Sequence, residues 1–132
     1  MFLVTKVFSF PMAHRLSKNN RACQYLHGHN IIGKVTVKSE QLNNEDMVMD
    51  FYDLKKIISD IINSWDHGLF LNKHDKIMRP EKCKLFLTDC DPTSEALCKV
   101  LFNKIEEALP KNVEMHSITL IEAEGSEATY TR

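Results

Sequence analysis

The length, composition and charge of the chain exclude several classes of protein. At 132 residues, with 43% apolar and 27% charged residues, the sequence predicts one globular domain, residues 1–132, with its own hydrophobic core. A net charge of −1 indicates no broad basic face, so we expect no nucleic-acid partner. The N-terminus resembles neither a signal peptide nor a membrane span, and the four cysteines form no Cys-x-x-Cys pair. We therefore expect a cytoplasmic protein with reduced thiols and no membrane partner.

The first third of the chain predicts two β-strands joined by a loop. Residues 2–13 are rich in β-branched and aromatic side chains in alternation, and residues 27–38 end in an alternating Lys–Val–Thr pattern. Residues 16–26 between them predict a loop, and a polar turn follows at residues 41–46.

Two amphipathic helices are predicted in the middle of the chain. Asp50 is a candidate N-cap, and apolar side chains at helical spacing continue from it to about residue 65. The second helix begins within Asp91–Glu95, which supplies a capping Thr or Ser and an acidic first turn, and it ends at Pro110. The connection over residues 66–91 is irregular, although Lys84–Leu87 has the composition of a short strand. Long connections of this kind are often functional.

Two final strands, residues 113–122 and 127–131, are predicted around a Gly125-Ser126 turn. The predicted order is therefore β-β-α-α-β-β. This order is typical of an α+β domain, in which an antiparallel sheet is covered on one face by two helices.

Three histidines near the N-terminus form the clearest functional pattern. His27 and His29 are two residues apart in a predicted strand, so their side chains share one face with Cα atoms about 6.5 Å apart. His14 ends the preceding strand and reaches the same site if the two strands pair as a hairpin. Three imidazoles with one open position are typical of a catalytic zinc site. Zinc is the first choice, and iron, nickel and cobalt are alternatives for the same donors.

The role of Cys23, four residues before His27, stays open at this point. As a fourth ligand, its thiolate would close the site and make the metal structural. Beside an open metal position, the same thiolate would act as a base or nucleophile. Any one of these histidines alone is more simply explained as a surface or hydrogen-bonded residue, whereas the three together favour a metal.

A longer series of motifs resembles the 6-pyruvoyl-tetrahydropterin synthase family, which includes the 6-carboxytetrahydropterin synthases. The motifs run along essentially the whole chain. In order, they are Phe10–Leu16, Cys23–Asn30, Met47–Lys55, Asp66-His67, Leu71-Asn72, Pro92–Glu95, and Glu122 eight residues before Tyr130. Each motif alone is a weak signal, but their common order is specific to this family.

The resemblance implies a fold, an assembly and a metal. The fold is the tunnelling fold, a β-β-α-α-β-β protomer that forms trimers and usually a hexamer around a β-barrel lumen. The implied metal is zinc, held by His14, His27 and His29. The implied partners are other copies of the same chain and a small-molecule pterin triphosphate.

The resemblance also implies roles for individual residues. Cys23 stands at the position of the catalytic thiol, and Asp66 and His67 stand where the family has its acid/base pair, usually across a subunit interface. Glu122 matches the carboxylate that anchors the pterin ring, a role that suits the two hydrogen bonds an amino-pyrimidine edge offers. Arg15 is a candidate contact for the triphosphate or, equally, a surface ion pair.

The spacing of Cys23 and the His27-Gly28-His29 triplet is similar to that of the carboxy branch. That branch converts 7,8-dihydroneopterin triphosphate with release of triphosphate and acetaldehyde, and it feeds deazaguanine (queuosine-type) synthesis. The alternative is the pyruvoyl branch of tetrahydrobiopterin-type pathways, where the gap is longer. A zinc hydrolase and a non-catalytic, zinc-stabilised assembly module are further alternatives from other functional classes.

The chain departs from the family pattern in three places. Asp66-His67 is separated from Leu71-Asn72 by one residue more than usual, and the segment 73–91 is longer than in compact members. Ala123 follows Glu122 where Thr is usual. The first two departures change the loop around the acid/base pair, and the third changes the residue next to Glu122.

Overall fold

The computed structural model describes all 132 residues and contains six β-strands and two α-helices. These elements are β1 (Phe2–His14), β2 (His27–Ser39), α1 (Phe51–Trp65), β3 (Gly68–Asn72), β4 (Lys84–Thr88), α2 (Ser94–Ala108), β5 (Glu114–Ala123) and β6 (Ser126–Thr131). A single turn of 3-10 helix, Ala22–Gln24, lies between β1 and β2. Neither α1 nor α2 has the length and apolar content that a membrane span requires.

The strands form one mixed sheet in the order β4-β3-β1-β2-β5-β6, which curls into a half-barrel. Its larger part is antiparallel: β1 pairs with β2, β2 with β5, and β5 with β6. At the other edge, β3 runs parallel to the end of β1, and β4 runs parallel to β3. The connection from β1 to β3 contains β2 and α1, which gives the long crossover that a parallel pairing needs.

The predicted α+β class is confirmed, with two strands, β3 and β4, added between the helices of the predicted order. The short strand predicted at Lys84–Leu87 is present as β4, but β3 was not predicted. All five residues of β3 are buried, so its apolar run shows no alternation from which a strand could be recognised. Because β3 and β4 pair in parallel, the sheet is mixed rather than wholly antiparallel.

Side-chain caps start both helices at the predicted places. The Asp50 carboxylate accepts a hydrogen bond from the Tyr52 amide at 2.7 Å, and the Thr93 hydroxyl accepts one from the Ala96 amide at 3.1 Å. Each cap satisfies an amide that has no partner inside its helix. Helix α2 ends at Ala108 with Leu109 as its C-cap, and Pro110 follows, which cannot continue a helix.

The hydrophobic core lies between the two helices and one face of the sheet. It contains 21 buried residues, among them alternate residues of β1 and β2 such as Phe10, Met12 and Ile31. Gly33 is needed in this layer, because a Cβ there would lie 2.0 Å from the ring of Phe8 on the paired strand. The same face continues to the end of the hairpin, where it carries the candidate site.

Leu101→Ala is expected to lower the free energy of unfolding by about 2–5 kcal/mol, since this α2 side chain is 0% exposed and its removal leaves a cavity. The neighbouring Val100 is 39% exposed, and Val100→Ala is expected to change stability by no more than about 0.5 kcal/mol. Urea unfolding of both variants measures the difference. Equal losses would contradict the described packing of α2.

Candidate active site at the end of the β1–β2 hairpin

The three histidines meet at one end of the β1–β2 hairpin. His14 pairs directly with His27, and Met12 pairs with His29, so the three imidazoles share the face of the sheet that the helices cover. One nitrogen from each ring lies within 4.8 Å of the other two, and the ring centroids are 4.6–5.2 Å apart. The hairpin therefore brings together the three side chains that the sequence predicted as metal ligands.

Backbone carbonyls fix the tautomers of two of these rings. The Nδ1–H of His14 donates to the carbonyl oxygen of Pro92 at 2.8 Å, and that of His27 donates to Tyr25 at 2.6 Å. A carbonyl oxygen only accepts, so both rings carry a proton on Nδ1, and the lone pair of the neutral ring is on Nε2. Metal-binding histidines are commonly oriented by such a bond from the second ring nitrogen.

Two of the Nε2 atoms are buried and have no hydrogen-bond partner, those of His14 and His29. His14 is only 1% exposed, and burial lowers its pKa below the ordinary 6.5, against the opposing effects of Pro92 and Glu122. The neutral imidazole is the form that binds a metal. Unpaired buried acceptors are rare in folded proteins, and three converging imidazoles match the ligand set of a catalytic zinc.

Glu122 on β5 lies beside the histidine cluster. Its two carboxylate oxygens are each 3.9 Å from a ring nitrogen, Oε1 from Nε2 of His14 and Oε2 from Nε2 of His29. The hydroxyl of Ser94, the first residue of α2, donates to Oε1 at 2.6 Å. A surface cavity of about 260 Å³ opens here, lined among others by Ser94, Glu122 and Leu16. The carboxylate is thus held at the boundary between the cavity and the histidines.

Cys23 lies outside the group of converging ligands. It is the middle residue of the 3-10 turn between β1 and β2, and its thiol is exposed and free. Its backbone carbonyl accepts a hydrogen bond from the Leu16 amide at 2.8 Å, which closes the loop on itself. This position favours an open three-histidine site over a closed site with the thiolate as fourth ligand.

Asp66 and His67 form the end of α1 rather than part of the histidine cluster. His67 has a left-handed backbone (φ 62°), a common way for a helix to end, and its amide donates to Pro11 at 2.9 Å. Pro11 is three residues, or roughly 10 Å, along β1 from His14. The imidazole of His67 is 82% exposed, and its Nδ1 contacts the Asp66 carboxylate. Within one protomer the pair therefore faces solvent.

Each of the three guanidinium nitrogens of Arg15 has a protein partner. Its Nε and Nη2 donate to the two carboxylate oxygens of Asp75 at 2.5 and 3.0 Å, and its Nη1 donates to the carbonyl of Gln24 at 2.8 Å. The ion-pair interpretation of Arg15 is thus the one that the geometry favours over a triphosphate contact. No sequence pattern pointed to Asp75, because a single acidic residue in an irregular segment has no characteristic spacing.

The sequence model of the family described as 6-pyruvoyl tetrahydropterin synthase matches residues 3–132, nearly the whole chain. The chain belongs to this family. It is therefore an enzyme of the pterin synthase type, and its half-barrel with two helices matches the tunnelling fold of its structural neighbours.

Named relatives of this family cover almost the whole chain. A 6-carboxy-5,6,7,8-tetrahydropterin synthase of Aquifex aeolicus is 32% identical, with 96% of each chain covered. The protein of the same name from Synechocystis is 36% identical over 98% of this chain and 93% of its own. Among solved structures, the 6-pyruvoyl tetrahydropterin synthase of Caenorhabditis elegans superposes with a TM-score of 0.75 at 26% identity, covering 99% of this chain and 95% of its own.

The Arg15–Asp75 ion pair predicts a stability difference that depends on pH. The hydrogen bonds from Arg15 hold the pKa of the Asp75 carboxyl below its ordinary value of 3.8. A lowered folded-state pKa contributes stability that is present above 3.8 and is lost as the pH falls through the folded-state pKa. Asp75→Asn is therefore expected to be less stable than wild type at pH 7, by a margin that shrinks below pH 3.8. Urea unfolding across this range measures it, and a constant margin would contradict the ion pair.

Proposed function

We propose that this protein is a zinc-dependent 6-carboxy-5,6,7,8-tetrahydropterin synthase and that residues 1–132 form its single domain. Its substrate would be 7,8-dihydroneopterin triphosphate, and triphosphate and acetaldehyde would be released in a lyase reaction. The product belongs to a deazaguanine, queuosine-type pathway. The observation that carries the proposal is the convergence of three imidazoles, with two unpaired buried nitrogens, beside a carboxylate at the mouth of a cavity.

His14, His27 and His29 would hold the zinc, each through the ring nitrogen that faces the other two. When bound there, zinc supplies Lewis acidity toward the substrate's side-chain hydroxyls, which makes their O–H and the adjacent C–H bonds more acidic. The protein's own contribution is to favour the neutral form of His14 by burial. The carbonyls of Pro92 and Tyr25 orient the rings of His14 and His27.

Glu122 would anchor the pterin ring by accepting two hydrogen bonds from its amino-pyrimidine edge. Ser94 already donates to one of its oxygens, which fixes the plane of the carboxylate. Because both oxygens lie 3.9 Å from histidine nitrogens, a ring bound to Glu122 would place its side chain next to the metal position. Anchoring of this kind raises the rate by orienting the reacting bonds.

Proton transfer would be shared between Cys23 and the Asp66–His67 pair. The exposed thiol of Cys23, as the thiolate, would remove a proton from the substrate side chain. The Asp66 carboxylate accepts from Nδ1–H of His67, which leaves the Nε2 of His67 free to take up the proton or return it. Release of triphosphate and cleavage of the side chain would follow from these transfers.

We propose a homo-oligomer, a trimer or hexamer, in which the active site is completed between subunits. Within one protomer the His67 imidazole faces solvent, and its backbone is attached to β1 roughly 10 Å from His14. The pair reaches a histidine cluster most directly if that cluster belongs to a neighbouring copy. The unpaired cysteines favour a soluble enzyme of the cytoplasm, where thiols stay reduced.

The pyruvoyl activity is the second candidate, because the family description and the Caenorhabditis elegans structure carry that name. The carboxy activity is preferred because both curated relatives described above are named for it. The short spacing between Cys23 and His27 supports the same choice.

Loss of any one cluster histidine is expected to abolish tight zinc binding. His14→Ala, His27→Ala and His29→Ala should each retain far less than one zinc per protomer after dialysis, whereas the matched control His74→Ala, an exposed loop histidine, should retain it. Metal content measured by mass spectrometry, with circular dichroism as a check of folding, gives the result. Cys23→Ala should keep its zinc, and loss of zinc in that variant would favour the closed, structural site.

Zinc-loaded protein incubated with 7,8-dihydroneopterin triphosphate is expected to release triphosphate and acetaldehyde in equal amounts. Cys23→Ala should lower the rate by roughly a hundredfold or more, the range of a lost general base, and Cys90→Ala, another exposed thiol, should not. Triphosphate without acetaldehyde would assign the pyruvoyl branch. Release of neither product would refute the pterin proposal for this chain.

A further inference from the structure

The loop that carries Cys23 is tied to the rest of the protein by an arginine at its start. Arg15 follows the last residue of β1, and its guanidinium reaches across the loop to the carbonyl of Gln24, the residue after Cys23. The other two nitrogens are bound to both carboxylate oxygens of Asp75. One planar group thus joins both ends of the loop to a residue 60 positions away.

A second carboxylate holds the same loop a few residues further on. Asp91 accepts hydrogen bonds from the hydroxyl of Ser17, from the amide of Lys18 at 2.8 Å and from the side-chain amide of Asn72 at 3.1 Å. Burial raises the pKa of the Asp91 carboxyl, but these hydrogen bonds together leave it lowered overall, so the group is ionised near neutral pH. The loop is therefore bound to two negative charges.

The two carboxylates stand at opposite ends of the long segment 73–91. Asp75 follows β3 and Asp91 precedes α2, and Asn72 links the two ends through its bond to Asp91. The segment thus runs away from the loop that carries Cys23, forms β4, and comes back to the same loop at Asp91. Both contacts with the loop lie at the ends of this segment rather than in its exposed middle.

The burial of the ion pair makes this contact specific. The side chain of Asp75 is 2% exposed and that of Arg15 is 22% exposed, so removing one partner leaves a charge with little access to water. The bonds require a planar fork with three nitrogens in fixed positions, which a lysine ammonium does not provide. All three nitrogens of Arg15 already donate to protein acceptors, which favours a structural role over a contact with a phosphate group.

We propose that Arg15 is a positioning residue for Cys23. Asp75 anchors the guanidinium of Arg15, and Asp91 anchors the same loop at Ser17 and Lys18. Cys23 is exposed and has few contacts of its own, so its place relative to the histidines depends on how the backbone of residues 15–24 is held. A displacement of about 1 Å at a reacting group costs roughly a hundredfold in rate. The kinetic part of this inference rests on the proposed function, because it assigns chemistry to Cys23.

The test compares Arg15→Lys with Arg132→Lys, a matched control in which a second arginine pairs with Glu106 and Asn103 on another part of the surface. Hydrogen exchange of the peptide covering residues 16–25 is measured on ligand-free protein. We expect exchange to become roughly tenfold faster in Arg15→Lys and to stay unchanged in the control. Asp75→Asn, which keeps the size of the side chain, should show a smaller change in the same direction.

Steady-state kinetics then separates positioning from general stability. Because neither Arg15 nor its anchors contact Glu122, Arg15→Lys should lower kcat by roughly ten- to a hundredfold and leave KM within about threefold of wild type. Unchanged exchange in residues 16–25 would overturn the inference whatever the activity. Faster exchange with wild-type kcat would overturn the positioning role. If wild type releases no triphosphate but exchange still accelerates, the proposed function fails and the anchoring of the loop by Arg15 stands.

Discussion

The register between β1 and β2 is the constraint on which the site depends. The two strands pair along the whole length of β1, from Phe2 opposite Ser39 to His14 opposite His27. A slip of one residue would move every β2 side chain to the other face of the sheet and separate His14 from the other two rings. The core residues Ile31, Val35 and Val37 of β2 oppose this slip, since it would expose them. The packing of the core therefore determines the geometry of the ligand set.

The start of α2 connects the parts of the site that come from distant strands. Within four residues, Asp91 binds the loop that carries Cys23, Pro92 orients His14, and Ser94 orients Glu122. Thr93 between them caps the helix. Since α2 packs on β5 and β6 through a buried face, contacts in the core position the residues that orient His14 and Glu122.

Elements with a clear hydrophobic period could be predicted from the sequence, and those defined by distant contacts could not. The alternation in β1 and β2 and the helical stripe after Asp50 gave bounds close to the observed ones. β3 was missed because its strand character comes from parallel pairing with β1 and β4. The meeting of His14, His27 and His29 followed from strand geometry alone, whereas the place of Glu122 beside them was indicated only by the family resemblance.

The anchoring of the loop by Asp75 and Asp91 could not be predicted for a related reason. Each contact joins residues 60 or more positions apart, and neither carboxylate occurs in a pattern with a known spacing. Burial is what distinguishes these two acids from the other acidic residues, and a single sequence does not reveal the burial of one loop residue. Functional side chains on a regular strand can be recognised from their spacing in the sequence. The groups that hold them in place have no such spacing and are recognised only in the structure.

The left-handed backbone of His67 affects how variants at that position are interpreted. A side chain with a Cβ pays about 1–2 kcal/mol for this conformation, and glycine does not. Alanine would remove the imidazole and keep the local strain, whereas glycine would remove both and relax the junction between α1 and β3. The two truncations delete the same imidazole but differ in backbone strain, so the glycine variant should unfold at a higher temperature than the alanine variant. Their comparison separates a chemical defect from a conformational one.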